Sequence, residues 1–147
     1  MYLFNRSISV NVRSIDTNTV TVDGVFLDSY HEICMTLLVD IESHTITSAG
    51  GEFRRVPHTD CMETQKRIKE LIGINLNRNV RKQVQMAVGL KHGCTHLTDL
   101  TLECIKGFMQ ATYQLMHLTM QADQVNELVE QYLAGNCFHY KNLSPSK

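Results

Sequence analysis

At 147 residues, with 43% apolar and 20% charged side chains, the chain is long enough to bury a core without help from disulfides or a structural metal. A formal net charge of −1 excludes a global electrostatic pull toward nucleic acid or anionic membranes, and no apolar run approaches the ~18 residues a spanning helix needs. Five cysteines, an odd number at irregular spacing, with no export signal ahead of the first strand pattern, point to reduced thiols and a cytoplasmic protein.

Phe4 to Arg13 alternates as a strand, with Ile8, Val10 and Val12 on one face and Arg6, Ser7, Asn11 and Arg13 among the polar positions. Thr19 to Asp28 is rich in β-branched residues and predicts a second strand, with a bulge at Gly24 rather than a hairpin at Asp23-Gly24. After the Asp28-Ser29-Tyr30 turn, His31 to Ile41 alternates, placing Ile33, Met35, Leu37 and Val39 opposite Cys34, Thr36, Leu38 and Asp40. Thr45 to Phe53 predicts a weaker fourth strand, loosened by Gly50-Gly51.

At Pro57 the period changes from two to about 3.6. Thr59 is placed to cap a helix whose stripe is Ile68, Leu71 and Ile72 and which Gly73 ends. A second helix follows Asn75 or Asn77, turns Val80, Val84, Ala87 and Val88 inward, and stops near Gly89. The third runs from about Thr95 to Thr119 with Leu97, Leu100, Cys104, Ile105, Phe108, Thr112 and Leu115 on its buried side, and the fourth from about Ala122 to Ala134. Strands first and helices afterwards predict an α+β fold, a four-stranded antiparallel meander with three or four helices on one face. The expected organisation is one domain over 1–134 and a mobile tail over 135–147, frayed at Ser144-Pro145-Ser146. The Met-rich third helix and its successor offer a surface for a homodimer.

Chemistry concentrates at Gly93-Cys94-Thr95-His96-Leu97, where a thiol and an imidazole fall at the start of the longest helix. Unpaired backbone N–H groups and the helix dipole there stabilise a thiolate. Cys61 falls in the first turn of another predicted helix. Cys61, Cys94, His96 and His31 are a sound complement for tetrahedral Zn²⁺ or a ferrous ion, with Asp40 and Asp99 as carboxylates that could orient the ligands. His92 is an alternative ligand, and Cys137-Phe138-His139 repeats the Cys-x-His spacing in the tail.

A second reading makes Cys94 the nucleophile of a thiol-dependent enzyme, with His96 or His31 as base. Residues i and i+2 of a helix point about 160 to 200° apart, so His96 reaches the Cys94 sulfur only if Cys94 lies outside the helix proper. A third reading is an interaction module with buried cysteines. Basic residues between positions 54 and 82, Arg54, Arg55, Arg78 and Arg81 among them, could hold a small anion. No aromatic residues interleave with them as base-stacking platforms, which argues against nucleic acid.

His31 at the head of the third strand, Asp40 at its end, Cys61 after a proline-containing loop, and above all Gly93-Cys94-Thr95-His96-Leu97-Thr98-Asp99-Leu100 resemble an uncharacterised bacterial family, domain of unknown function 2889. The basic stretch Asn77-Arg78-Asn79-Val80-Arg81 is also family-like, and the likeness covers most of residues 6 to 110. It carries no activity of its own. The order of parts is also similar to the scaffold proteins of iron–sulfur cluster assembly, in which cysteine ligands sit at comparable points. Those scaffolds have a further ligand cysteine with no counterpart between Cys61 and Cys94, so a single Zn or Fe ion is the cofactor expected ahead of a cluster.

Overall fold

The computed structural model describes Met1 and residues 3–143. The frayed end expected at Ser144-Pro145-Ser146 lies outside these residues. Four strands, β1 (Arg6–Ser14), β2 (Thr19–Asp28), β3 (Glu32–Asp40) and β4 (Thr45–Arg55), pair in chain order as an antiparallel meander. A 3₁₀ helix (Thr59–Leu71), α1 (Val80–Val88), a short 3₁₀ turn (Leu90–His92), α2 (Thr95–Thr119) and α3 (Ala122–Leu133) follow. This is the α+β order that the change of period at Pro57 predicts. The chain divides into two compact units, Met1–Phe108 and a second beginning at Met109.

In the first unit the alternation of the strands decides which face is covered. Val20, Val22 and Phe26 of β2, Ile33, Met35, Leu37 and Val39 of β3, and Ile46, Ala49 and Phe53 of β4 are buried with Leu97, Leu100, Cys104 and Phe108 of α2. Burying each of the larger side chains contributes roughly 1.5–3 kcal/mol relative to leaving it in water. Arg6 pairs with Asp28 across β1 and β2, as Ile8 pairs with Phe26 and Val10 with Gly24. Arg6 therefore shares the inward face with Ile8 and Val10, not the polar face its charge suggests.

Gly24 is not a bulge. Its strand stays in register on both sides, and Val10, Gly24, Met35 and Gly51 form one cross-strand row. The helices close on this row. A Cβ at Gly24 would meet Cys104 Sγ at 2.4 Å and Leu100 Cδ1 at 2.9 Å, and one at Gly51 would meet Ile68 Cδ1 at 2.8 Å. Gly107 of α2 in turn faces Val10, whose Cγ1 would lie 2.6 Å from a Cβ there. The glycines that look like sheet-weakening elements are the points where helix meets strand. β4 runs through Gly50-Gly51 and on to Arg55, two residues past the expected Phe53, with register shifts near its two ends.

The first helical segment departs from the 3.6 period. It winds as 3₁₀ from Thr59 to Leu71, so Ile68 and Leu71, three apart, both point inward, while Ile72 lies outside it and is exposed. Its cap position is His58 rather than Thr59, and no side chain caps it. Gly73, at φ +89°, turns the chain so that its N–H reaches Ile46 O at 2.8 Å. Asn79, also at positive φ, begins α1, which buries Val84, Ala87 and Val88 and ends before Gly89 as its pattern predicts. α2 begins and ends where its apolar stripe predicts, and its buried Thr98 and Thr101 hydroxyls donate to the carbonyls of Cys94 and Leu97 one turn back.

In the second unit α3 opens with a reciprocal Gln121/Gln124 capping box. The Tyr113 and Tyr132 rings lie 5.8 Å apart, and burial with the neighbouring Tyr132 pushes the Tyr113 phenol up to about 12. Residues 135–143 fold as successive tight turns, with Cys137 N–H donating to Leu133 O and Leu143 N–H to Tyr140 O. No described helix is long and apolar enough to cross a membrane.

Gly24→Ala is expected to cost about 1–3 kcal/mol in urea or thermal unfolding, because the added methyl has no space beneath α2. Adding Cys104→Ala removes the nearest atom, so the double variant is expected to lose less than the sum of the two single losses. Strict additivity in that cycle would show that α2 does not press on Gly24.

Candidate functional site

One end of the first unit's sheet gathers Arg6 at the start of β1, Asp28 at the end of β2, His31 just before β3 and Arg55 at the end of β4. The start of α2 adds His96. The β2–β3 turn organises the group. Asp28 lies at an even-numbered, inward position of β2, and its Oδ1 accepts the Tyr30 and His31 N–H groups at 2.8 and 2.7 Å, an Asx turn. The same oxygen lies 2.9 Å from His31 Nδ1. Arg55 fastens the turn from outside, donating from Nη2 to the Asp28 carbonyl at 2.7 Å.

A carboxylate 5% exposed is costly unless its charge is met. Burial pushes the Asp28 carboxyl up, but the Tyr30 N–H, the His31 ring and the His31 N–H outweigh it and hold the group down to about 2. All of these act on Oδ1. Oδ2 is buried without a hydrogen-bond partner, and its nearest cation is Arg6, whose Nη2 is 3.5 Å away, within ion-pair range but too far for a good hydrogen bond.

Facing it, the His31 and His96 rings lie 3.9 Å apart between centroids at a tilt of 36°, with Phe26 5.1 Å from His96. One atom each from Asp28, His31 and His96 lie within 4.8 Å of one another. Because Nδ1 of His31 faces Asp28, its Nε2 is the nitrogen left to act as an acceptor in the neutral ring. Burial first, then the His31 ring, pushes the His96 pKa below the ordinary histidine range, keeping a lone pair available at neutral pH.

Cys94 stands just outside α2, which begins at Thr95, and so satisfies the condition for reaching His96. Its Sγ lies 3.9 Å from His96 Nδ1. The helix-start activation expected from sequence is outweighed. Burial pushes the thiol up, the Leu97 and His96 N–H groups pull it down by less, and the charges of Cys61 and Asp99 push the same way as burial.

Of the four ligands read from the sequence, His31 and His96 meet. Cys61 is near enough for its charge to be felt at Cys94, but the cluster among the described residues contains no sulfur. The centre is two imidazoles and a carboxylate in place of two thiolates and two imidazoles. Asp99 acts on His96 and Cys94 only through space. Asp40 closes the far end of β3, roughly 30 Å of extended chain from His31, where its Oδ1 accepts the Ser43 N–H and hydroxyl.

Arg54 pairs with Glu52 at 3.0 Å and Glu32 at 3.5 Å, while Arg78 and Arg81 are exposed around the start of α1. His92 is exposed in the Leu90–His92 turn, Cys34 lies on the outward sheet face, and burial pushes the Cys104 thiol up to about 12. Cys137 and His139 belong to the second unit.

Asp28 and Arg6 were legible only as a turn residue and a polar strand residue. Their signal is parity: both occupy the same inward-facing set of positions as half-buried Ile8 and Val10 and buried Val22 and Phe26. A charged residue at an inward position of a strand is a question the rest of the fold must answer.

A family model described as "Protein of unknown function (DUF2889)" matches residues 4–110, which span both imidazoles, the carboxylate and the Cys94 motif. No curated protein and no solved structure matches the chain.

Two measurements test these electrostatics. Cys94 is expected to alkylate with iodoacetamide more slowly at neutral pH than a free thiol does, since burial disfavours its thiolate; rapid selective labelling would contradict this. Stability is expected to fall in two windows as pH drops. The first begins near 6.5, where the unfolded state protonates before the depressed His96, and the second runs from about 3.8 to about 2 as Asp28 takes up its proton. Asp28→Asn should shrink the second step to what Asp16, Asp23 and Asp40, also held below the ordinary carboxylate range by their hydrogen bonds, contribute. If it keeps that step unchanged, the Asp28 assignment is wrong.

Proposed function

We propose, for a chain that belongs to the family described as Protein of unknown function (DUF2889), that it binds a single divalent transition-metal ion, zinc or ferrous iron, through Asp28, His31 and His96. The observation that carries this is the buried Asp28 carboxylate, one oxygen of which, Oδ2, has no hydrogen-bond partner, in a cluster where one ligand atom each of Asp28, His31 and His96 lie within 4.8 Å of one another. Such an oxygen is costly to leave unsatisfied, and a cation meets it fully.

The donor set fits the ion. Two neutral nitrogens and one carboxylate oxygen suit Zn²⁺ or Fe²⁺ better than Ca²⁺ or Mg²⁺, which favour oxygen alone. The depressed His96 pKa keeps the proton from competing for that ring, and an ion held by both Asp28 and His31 would replace the contact between His31 Nδ1 and Asp28 Oδ1. Three protein donors leave a coordination position for water or another ligand, the pattern of a reactive site rather than a closed structural one. Cys94 would border the ion's imidazole ligand, and with burial disfavouring its thiolate it serves less well as a nucleophile.

Protein purified without an affinity tag and dialysed against Zn²⁺, or anaerobically against Fe²⁺, is expected to hold one equivalent by elemental analysis. Asp28→Asn and His96→Ala, checked for folding by circular dichroism, should weaken binding by more than the roughly 10–100-fold that losing an orienting partner costs. Cys61→Ser with Cys94→Ser should retain the ion. Metal lost in the cysteine variant and kept in Asp28→Asn would move the site to the sulfurs and overturn this reading, as would wild-type protein that takes up no metal.

A further inference from the structure

The guanidinium of Arg6 is positioned without being used up. It stands 4.9 Å from the Phe26 ring centroid and 5.3 Å from that of Phe4, so two aromatic faces fix its place. Phe26 is the same fully buried ring that packs 5.1 Å from His96 and 6.3 Å from His31, which makes it a common wall for the guanidinium and both imidazoles. Among the described residues, the one acceptor in reach of Arg6 is Asp28 Oδ2 at 3.5 Å, and it makes no hydrogen bond there. Most of its five N–H donors are therefore uncommitted, and its side chain is 39% exposed.

The neighbouring cations differ. Arg55 directs its Nη2 to the backbone carbonyls of Asp28 and His31, and Arg54 pairs with Glu52 and Glu32. Arg6 is the arginine at this end of the sheet that is held against Phe26, the ring shared with both imidazoles, while making no hydrogen bond among the described residues.

We propose that Arg6 makes this site an oxyanion site: a small ligand bearing a carboxylate or a phosphate binds with one oxygen on the metal and its remaining oxygens on the Arg6 guanidinium. This rests on the metal reading above. A divalent ion brings more positive charge than Asp28 cancels, and Arg6 adds about one more, so the open coordination position faces an excess that an anion neutralises. A planar fork of donors held by two rings matches two oxygens at once, which gives such a ligand orientation as well as affinity.

The test uses the cobalt-substituted full chain, whose visible spectrum reports on ligands joining the metal. Acetate and inorganic phosphate are titrated separately into wild type, Arg6→Met and Arg6→Lys. At least one anion is expected to shift the wild-type spectrum saturably, to bind at least tenfold more weakly to Arg6→Met, and to be intermediate for Arg6→Lys, which keeps the charge and loses the fork. The anion that binds more tightly names the class. Arg6→Met is expected to keep one equivalent of metal, since Arg6 is not a ligand. Metal bound with no spectral response to either anion, or an equal response in Arg6→Met, sinks the oxyanion site and leaves the metal reading standing. Wild-type protein that takes up no metal sinks both.

Discussion

The first unit depends on how closely α2 can approach the sheet. Its distance is set where the backbone of β2 at Gly24 lies directly beneath Leu100 and Cys104, and where Gly107 lies over Val10. Side chains at those two glycines would hold helix and strand apart, because interiors at crystal-like density have no slack to absorb a methyl. The approach does more than bury Phe26 and Leu100. It carries the first turn of α2 over the β2–β3 turn, and so brings His96 within stacking distance of His31, sixty-five positions earlier in the chain.

That turn has its own logic. Asp28 uses one oxygen to hold the backbone of Tyr30 and His31 and to orient the His31 ring, work that Asp does well in any tight turn. What is unusual is its setting. The strand's alternation sends the carboxylate inward, where its second oxygen is buried with no protein donor in hydrogen-bond geometry. The turn accounts for Oδ1, whereas Oδ2 has the Arg6 guanidinium at 3.5 Å and no hydrogen bond, and the two imidazoles stand beside this carboxylate.

Much of the scaffold was readable beforehand because it follows from short-range periodicity. The inward faces of β1 and β3, the limits of α2 and the end of α1 before Gly89 all come from side chains that must alternate or recur to be buried. The failures share a cause as well. Gly24 and Gly51 look like defects in a strand read alone, and become necessary only when a helix lies on them. Ile72 joins the apolar stripe at 3.6 residues per turn and leaves it at three. Arg6 was placed by its charge on the polar face, although its position in the alternation puts it inside.

For the site, the sequence by itself singled out His31 and His96, a histidine at the head of a strand and one in a Cys-x-His motif at the head of a helix, and the fold brings their rings together. The sequence also determined the meander, since each strand is joined to the next by a turn too short for any other pairing. Only the tertiary structure decided which group joins the two imidazoles. Ligand choice by residue type favoured the cysteines, whereas packing brought in Asp28, because three-dimensional proximity depends on where α2 lands on the sheet, and that is settled by the volumes of side chains distant in the chain rather than by the pattern of any one segment.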